Sequence, residues 1–123
     1  MTTASNQPCL ARVLAAASLM SEELSPEVTI NQVLMFLHVA QAVRIDQGEA
    51  GRACNMSSAG NSRNAAALAA KGPFVPKEGY GVLRITQDPT DRRRRILMLT
   101  PKGRRLITTL ETLVSEHPAP IAA

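Results

Sequence analysis

The sequence predicts one mainly α-helical domain that contains a single small β-hairpin. Apolar residues recur at helical spacing in several segments, and two short runs of branched aliphatic residues flank an Asp-Pro turn. The 123 residues, with 45% hydrophobic and 20% charged side chains, have room for one folded core and none for a second full-sized domain. We therefore expect a single globular unit.

The composition argues against several classes of function. Aromatic residues are only 2% of the chain, which disfavours folds that bind single-stranded nucleic acid by stacking bases on several rings. Cys9 and Cys54 form no CxxC pair, and His38 and His117 lie far apart, so we expect free thiols and no metal site. The sequence has no Walker or GxSxG motif, and nothing in it brings serine, histidine and aspartate together, so we expect neither an enzyme nor a cofactor.

The chain also lacks the signals of a membrane or exported protein. No apolar run approaches roughly 18 residues, and no basic segment precedes an apolar one near the N-terminus. We therefore expect no membrane partner and a cytoplasmic location, associated with the nucleoid if the partner is DNA.

An amphipathic helix is predicted first, over residues 9–20. Its apolar stripe contains Leu10, Val13 and Leu14, and it is followed by a polar connector over residues 21–26.

A second helix begins after Thr29, which lies three residues before Gln32 in the spacing of a capping box. Ile30 and Leu34 belong to one apolar stripe of this helix, but other faces are apolar too, so we expect it to be the buried central helix. His38 lies within it and is expected to be a partly buried structural residue.

Two short helices follow a very short strand near residues 43–45. Asp46 precedes Glu49 by three residues and opens a helix that ends near Cys54, and Ser57 or Ser58 then caps a second helix that ends near Ala70. Two short helices joined by such a turn are a helix-turn-helix candidate.

The second helix of this pair begins with small and polar side chains. Asparagine can pair with adenine and arginine with guanine in the major groove, so these residues are candidates for base contacts. The alternative is a frayed helix start with incidental polar residues. The candidate residues are Ser57, Ser58, Asn61, Ser62, Arg63 and Asn64.

A β-hairpin with an arginine-rich outgoing strand is predicted next. Residues 82–86 and 94–99 form its strands, and Asp88 and Pro89 suit the first two positions of a type I turn. Alternation along the strand sends the four consecutive arginines to two opposite faces, so no more than two can point into a core, and we expect none to be fully buried. The alternatives are a solvated charged face and a site for an acidic partner. The candidate residues are Arg84, Asp91, Arg92, Arg93, Arg94 and Arg95.

The charge balance shows where the positive charge lies, and it fits both the solvated face and the acidic partner. Residues 1–62 carry three basic and five acidic residues, whereas residues 63–123 carry eleven basic and five acidic residues. The net charge of +4 is therefore concentrated in the second half of the chain.

A final helix is capped by Thr100, starts with Pro101 and ends before Pro118, and a frayed tail follows it. Its narrow apolar stripe could pack on the same chain or on a second copy, and we favour the second copy because helices at both ends lie outside the compact middle. The candidate dimerisation residues are Leu10, Val13, Leu14, Leu106, Leu110 and Leu113.

The order of these elements is that of a winged helix-turn-helix domain with additional N- and C-terminal helices. Residues 88–103, Asp-Pro-Thr-Asp-Arg-Arg-Arg-Arg-Ile-Leu-Met-Leu-Thr-Pro-Lys-Gly, resemble the wing and following helix of MarR-family transcriptional regulators. That family pattern is an Asp, a turn, Asp-Arg-Arg, an aliphatic strand and Leu-Thr-x-Lys-Gly. The resemblance covers residues 29–110 and is strong over residues 81–110. Asn61 and Asn64 stand where the family usually has apolar residues, and residues 72–80 form a loop that the shortest members lack.

The resemblance implies roles for particular residues. Asp91 would hold the wing in shape by pairing with a neighbouring arginine, and Arg92 or Arg93 would enter the minor groove. It divides the chain into an N-terminal helix and connector over residues 1–28, a DNA-binding domain over residues 29–100, and a C-terminal helix and tail over residues 101–123. It also implies that a small-molecule effector could bind, although no set of residues identifies its chemistry.

Our sequence-based hypothesis is a sequence-specific, homodimeric regulator that binds double-stranded DNA and acts as a repressor. The alternative is a winged-helix module that binds a protein, such as an antirepressor or a polymerase-binding factor, and has no specific affinity for DNA.

Overall fold

The computed structural model describes residues 7–115 and confirms the predicted fold class. It contains five helices and a three-stranded antiparallel sheet over these residues. The elements are α1 (Pro8–Glu23), α2 (Ile30–Ala42), β1 (Arg44–Asp46), α3 (Gln47–Ala53), α4 (Ser58–Leu68), β2 (Leu83–Asp88), β3 (Asp91–Leu99) and α5 (Pro101–Val114). None of the helices within residues 7–115 is long and apolar enough to cross a membrane.

The central helix is α2, as predicted. Its capping box is complete, since the side chain of Thr29 accepts from the backbone N–H of Gln32 and the Gln32 side chain accepts from Thr29. Met35, Phe36 and Val39 are fully buried. These three side chains, with neighbours from α4 and the sheet, form the aliphatic core.

The apolar stripe that the sequence predicts for α2 lies only partly against this core, since Val33 and Leu37 pack on it but Ile30 and Leu34 do not. Ile30 is 70% exposed and Leu34 is 37% exposed, because the helix packs on its Met35, Phe36 and Val39 side instead. The expectation of a partly buried His38 was also wrong, since that residue lies on the exposed side of the helix.

The helix-turn-helix begins at two side-chain caps. Asp46 accepts a hydrogen bond from the backbone N–H of Glu49 at the start of α3, and Ser57 accepts one from Gly60 at the start of α4. Helix α4 ends at Leu68, two residues earlier than predicted, because the chain there joins β2 through a bridge between Ala69 and Leu83. The end of α4 is thereby fixed to the sheet.

The sheet has the strand order β1-β3-β2. Strand β3 begins at Asp91 rather than at residue 94, so all four consecutive arginines lie within it, and the loop at the tip is only Pro89 and Thr90. Pairing extends this far because Gln87 lies opposite Arg95 and Asp88 lies opposite Asp91. The carboxylate of Asp88 accepts from both the backbone and the hydroxyl of Thr90, which closes the turn.

The terminal helices α1 and α5 pack against each other beside this core. The Thr100 hydroxyl donates to the carbonyl of Gly81 and accepts from the N–H of Gly103, so it both caps α5 and ties that helix to the start of the wing. Gly103 has no room for a Cβ, since one would collide with the Val82 carbonyl. The predicted helix end at Pro118 and the tail after it lie outside the described residues.

Candidate nucleic-acid interface

Helix α4 presents a small, polar face. Ser58, Ser62 and Arg63 are exposed along it, whereas Ala65 and Leu68 are buried on the opposite side. Ser57 is exposed as well, but its hydroxyl oxygen is engaged in capping the helix. The backbone of the first turn and these three side chains are therefore what the helix offers to a partner.

Two of the residues predicted to contact bases, Asn61 and Asn64, have side chains that point into the domain instead. The Asn61 side-chain amide donates to the Gln47 carbonyl at 3.0 Å, and its Oδ1 atom is buried with no hydrogen-bond partner among the described residues. A Cβ on Gly51 would collide with this amide, so the glycine is what lets α3 and α4 approach closely here. The Asn64 amide lies 3.4 Å from the sulfur of Met56.

Asn61 and Asn64 are therefore not placed for base contacts. Positions 61, 64, 65 and 68 fall on one side of a 3.6-residue helix, and this is the side that packs on α3 and the core. The two asparagines consequently occupy the inward positions at which the resemblance leads one to expect apolar residues.

The tip of the wing carries two exposed arginines. Arg93 pairs with Asp91 at 3.3 Å while its side chain stays 91% exposed, and Arg92 is exposed on the other face of the strand. The expected pairing of Asp91 with a neighbouring arginine is thus present in the structure. These two guanidinium groups project from a thin two-stranded ribbon, the shape that fits a narrow minor groove.

Arg94 has a different environment, at the base of the wing. Its guanidinium lies 2.9 Å from Asp46, 3.6 Å from Asp88 and 4.0 Å from Glu49. We call these three carboxylates and Arg94 the wing anchor. It joins β3 to the start of α3 and to the end of β2, so Arg94 is matched by acidic groups within the chain and is a poor candidate for contact with DNA.

The wing anchor alters the ionisation of its members. Burial acts to raise the pKa of Asp46, but the hydrogen bond from Arg94, the N–H of Glu49 and the positive charge of Arg94 outweigh it and lower the pKa. Hydrogen bonds from Thr90, chiefly its backbone N–H, lower the pKa of Asp88. The pKa of Arg94 is raised by its hydrogen bond to Asp46, so the group stays charged at any working pH.

Arg95 lies on the face of β3 that is directed towards α4. Its guanidinium carbon is 4.1 Å from the centre of the Phe74 ring, and the group donates to the carbonyl of Arg92 at 2.9 Å. Phe74 comes from the loop over residues 72–80, and no pattern in the sequence links it to Arg95. Arg84 is exposed on β2, opposite Met98 of β3.

The predicted dimerisation residues divide into two groups. Leu10, Val13 and Leu14 are exposed by 59%, 61% and 67%. Leu106 is instead buried in the core of its own chain, because α5 packs back on the domain through this residue, so its assignment to a dimer interface was wrong. Leu110 is half-buried against the same core, and Leu113 is half-buried.

An apolar groove that the sequence analysis missed lies between α1, α2 and α5. Its volume is about 380 Å³, and Leu37, Ile107 and Val114 are among its lining residues. The groove and the exposed leucines of α1 are both candidate surfaces for a partner helix.

The described residues hold no cluster of acidic, histidine or cysteine side chains that could bind a metal. Cys9 is exposed and Cys54 is buried, and burial raises the pKa of the Cys54 thiol. A raised thiol pKa makes Cys54 less reactive.

The fold is that of a winged-helix domain, and α4 and the wing are its two projecting elements. No protein-family model matches the sequence, and no curated protein matches it either. Solved structures do match.

The structural neighbours are MarR-family transcriptional regulators. The regulator PcaV from Streptomyces coelicolor is 21% identical with a TM-score of 0.59, and the match covers 92% of this chain and 76% of that one. A mutant MarR from E. coli, in a complex with operator DNA, is 20% identical with a TM-score of 0.59, covering 87% and 71%. The repressor CouR, bound to a DNA duplex, is 24% identical with a TM-score of 0.62, covering 87% and 67%. This chain therefore has the winged-helix fold of the MarR regulators.

Proposed function

We propose that the protein is a sequence-specific regulator that binds double-stranded DNA as a homodimer and represses transcription. The observation that carries the proposal is the juxtaposition of two unlike elements on one domain: the exposed polar face of α4 and the exposed arginine pair at the wing tip. Two structures with the same fold were determined with DNA, which supports the same use of the fold here.

In this proposal α4 lies in the major groove. Arg63 contacts a base edge or an adjacent phosphate, and Ser57, Ser58 and Ser62 allow the helix backbone to approach the DNA closely. Asn61 and Asn64 are left out of the interface because the structure directs them into the domain.

The wing supplies the electrostatic part of binding. Arg92 and Arg93 enter the minor groove, and Arg84, exposed on β2, assists at the backbone. Each neutralised phosphate releases counterions, so the affinity should fall steeply as the salt concentration rises.

The terminal helices supply the dimer. Leu10, Val13 and Leu14 are exposed together on α1 beside the apolar groove, and half-buried Leu110 and Leu113 continue this surface on α5. A second copy related by a twofold axis would bury the same surface on both chains. The division into residues 1–28, 29–100 and 101–123 follows from this assignment. Such a cytoplasmic regulator could also bind a small effector, whose chemistry the side chains do not specify.

The experiment that tests the proposal is selection from a random duplex library at about 150 mM salt, where phosphate contacts alone are weak. Enriched duplexes are then compared with scrambled duplexes by fluorescence anisotropy. We expect a palindromic motif with half-sites about one helical turn, roughly 10 base pairs, apart. Absence of enrichment, together with negligible binding, would reject the proposal in favour of a winged-helix module that binds a protein.

A further inference from the structure

We propose that Arg95 of β3 binds a backbone phosphate between the two grooves, and that Phe74, from the loop over residues 72–80, holds its guanidinium in place. The inference rests on the proposed function, but it assigns a role to a loop and a residue that the helix and the wing tip leave unexplained.

The first observation is the fixed position of Arg95. Its guanidinium stacks on the Phe74 ring at 4.1 Å and donates to the carbonyl of Arg92 at 2.9 Å. Two contacts from different directions restrict a side chain that would otherwise lose considerable rotamer freedom when it binds a ligand. The stack on the ring leaves the edge of the guanidinium, where its N–H donors lie, available to an anion.

The second observation is charge. Arg94 is within 4.0 Å of three carboxylates, whereas among the described residues no carboxylate lies within that distance of the Arg95 guanidinium. The adjacent residues Arg94 and Arg95 therefore differ: carboxylates of the chain balance the charge of Arg94 but not that of Arg95. A half-buried guanidinium without a counterion favours an anion from outside.

The third observation is location. Arg95 and Phe74 line a cavity of about 260 Å³ together with Ser62 and Ala66, which lie on the exposed side of α4. If α4 occupies the major groove and the wing tip the adjacent minor groove, the phosphate strand between the grooves passes over this cavity. Arg95 is then the cation that faces it.

Hydrogen bonds within the loop over residues 72–80 fix the position of Phe74. Gly72 and Val75 exchange two backbone hydrogen bonds at 3.0 and 3.2 Å, which places Phe74 at a tight turn, and Val75 is buried beside it. The carboxylate of Glu78 accepts from the N–H of Lys71 and closes the loop. The ring is 37% exposed, and one of its faces lies against the Arg95 guanidinium.

The test measures binding of the full chain to the selected duplex and to a scrambled duplex over a salt series. Arg95→Gln should weaken both complexes and lower the slope of log affinity against log salt by about 0.9 for each bound subunit, since one phosphate contact is lost. Phe74→Leu should weaken binding about two- to fivefold for each subunit, the range of an exposed cation–π contact, and Phe74→Tyr should restore it.

A double variant separates positioning from direct contact. Phe74→Leu should have no further effect when Arg95 is already glutamine, because the ring acts only through the guanidinium. Arg105→Gln, an exposed arginine on α5, is the matched control for loss of one positive charge, and thermal unfolding checks that each variant folds.

The outcomes distinguish this inference from the proposed function. Wild-type affinity and salt slope for Arg95→Gln, on a protein that does bind its selected duplex, would overturn this inference alone. A loss confined to the selected duplex with an unchanged slope would also overturn it, since a phosphate contact acts on every sequence. Failure of the wild-type chain to bind any duplex would overturn the proposed function, and this inference with it.

Discussion

The two elements proposed to contact DNA are built on opposite principles. Helix α4 has a face of small, nearly uncharged side chains with one exposed arginine, Arg63, whereas β3 carries four consecutive arginines. The helix is suited to close approach and the wing to electrostatic attraction. Overall affinity and base preference should therefore be separable in this protein, because they come from different elements.

The largest effect is expected at the wing tip. Arg92→Ala combined with Arg93→Ala should weaken binding to every duplex by about a hundredfold per dimer, roughly 1.4 kcal/mol for each subunit, because both exposed guanidinium groups are lost. Anisotropy on selected and scrambled duplexes measures this. Unchanged affinity would remove the wing tip from the mechanism and leave α4 and the arginines nearer the base of the hairpin as the contacts.

A smaller and more selective effect is expected on the helix. Arg63→Ala should reduce binding to the selected duplex about fivefold for each subunit, the lower end of the roughly 1 to 3 kcal/mol of base discrimination that one arginine contributes, and should weaken binding to scrambled DNA much less. A repeat of the library selection with the variant would show relaxed preference at one position of each half-site. An equal loss on both duplexes would make Arg63 a phosphate contact.

The inward direction of Asn61 predicts an effect on folding rather than on base preference. Asn61→Ala removes the hydrogen bond to Gln47 and should lower the free energy of unfolding by about 1 kcal/mol, a figure reduced by the simultaneous loss of an unpartnered buried oxygen. Urea unfolding gives the value. If the variant instead keeps its stability and loses base preference, the side chain turns outwards on DNA.

The smallest effect concerns the wing anchor and depends on pH. The pKa of Asp46 is lowered in the folded chain, so the stability it contributes is present above its unfolded pKa, about 3.9, and is lost as the pH falls through the lower folded value. In Arg94→Gln the hydrogen bond and the positive charge of Arg94, two of the causes that lower the pKa of Asp46, are lost. The difference in unfolding midpoint between wild type and variant should therefore be full at pH 7 and shrink below about pH 4.

A titration of the unfolding midpoint from pH 7 to pH 3, on both proteins, measures this. Arg105→Gln provides the control for general loss of positive charge. A difference that stays constant over that range would show that Arg94 acts by packing and not through its carboxylates.

Local signals in the sequence predicted much of the fold. Thr29, Asp46, Ser57 and Thr100 were each expected at or beside a helix start, and each caps the following helix, because a cap requires only residues within the next turn. The hairpin and its turn were predictable for the same reason.

Direction and long-range pairing could not be predicted in this way. The sequence marked Asn61 as polar and therefore as a candidate contact, but its direction depends on how α3 crosses α4 at Gly51. Arg94 finds Asp46 at a distance of 48 residues along the chain, and Arg95 stacks on a ring from a separate loop. The four consecutive arginines of β3 thus have different environments, which depend on the fold and are not visible in the sequence.

The wing anchor also has a consequence for how the sequence can change over evolutionary time. Arg94 fixes the hairpin at its base, and the two-residue loop of Pro89 and Thr90 with Arg92 and Arg93 lies beyond that point. Substitutions at the tip can therefore alter what the wing recognises without disturbing α3. Substitutions at Asp46 would affect the wing and α3 at once, because the same carboxylate caps α3 and binds Arg94.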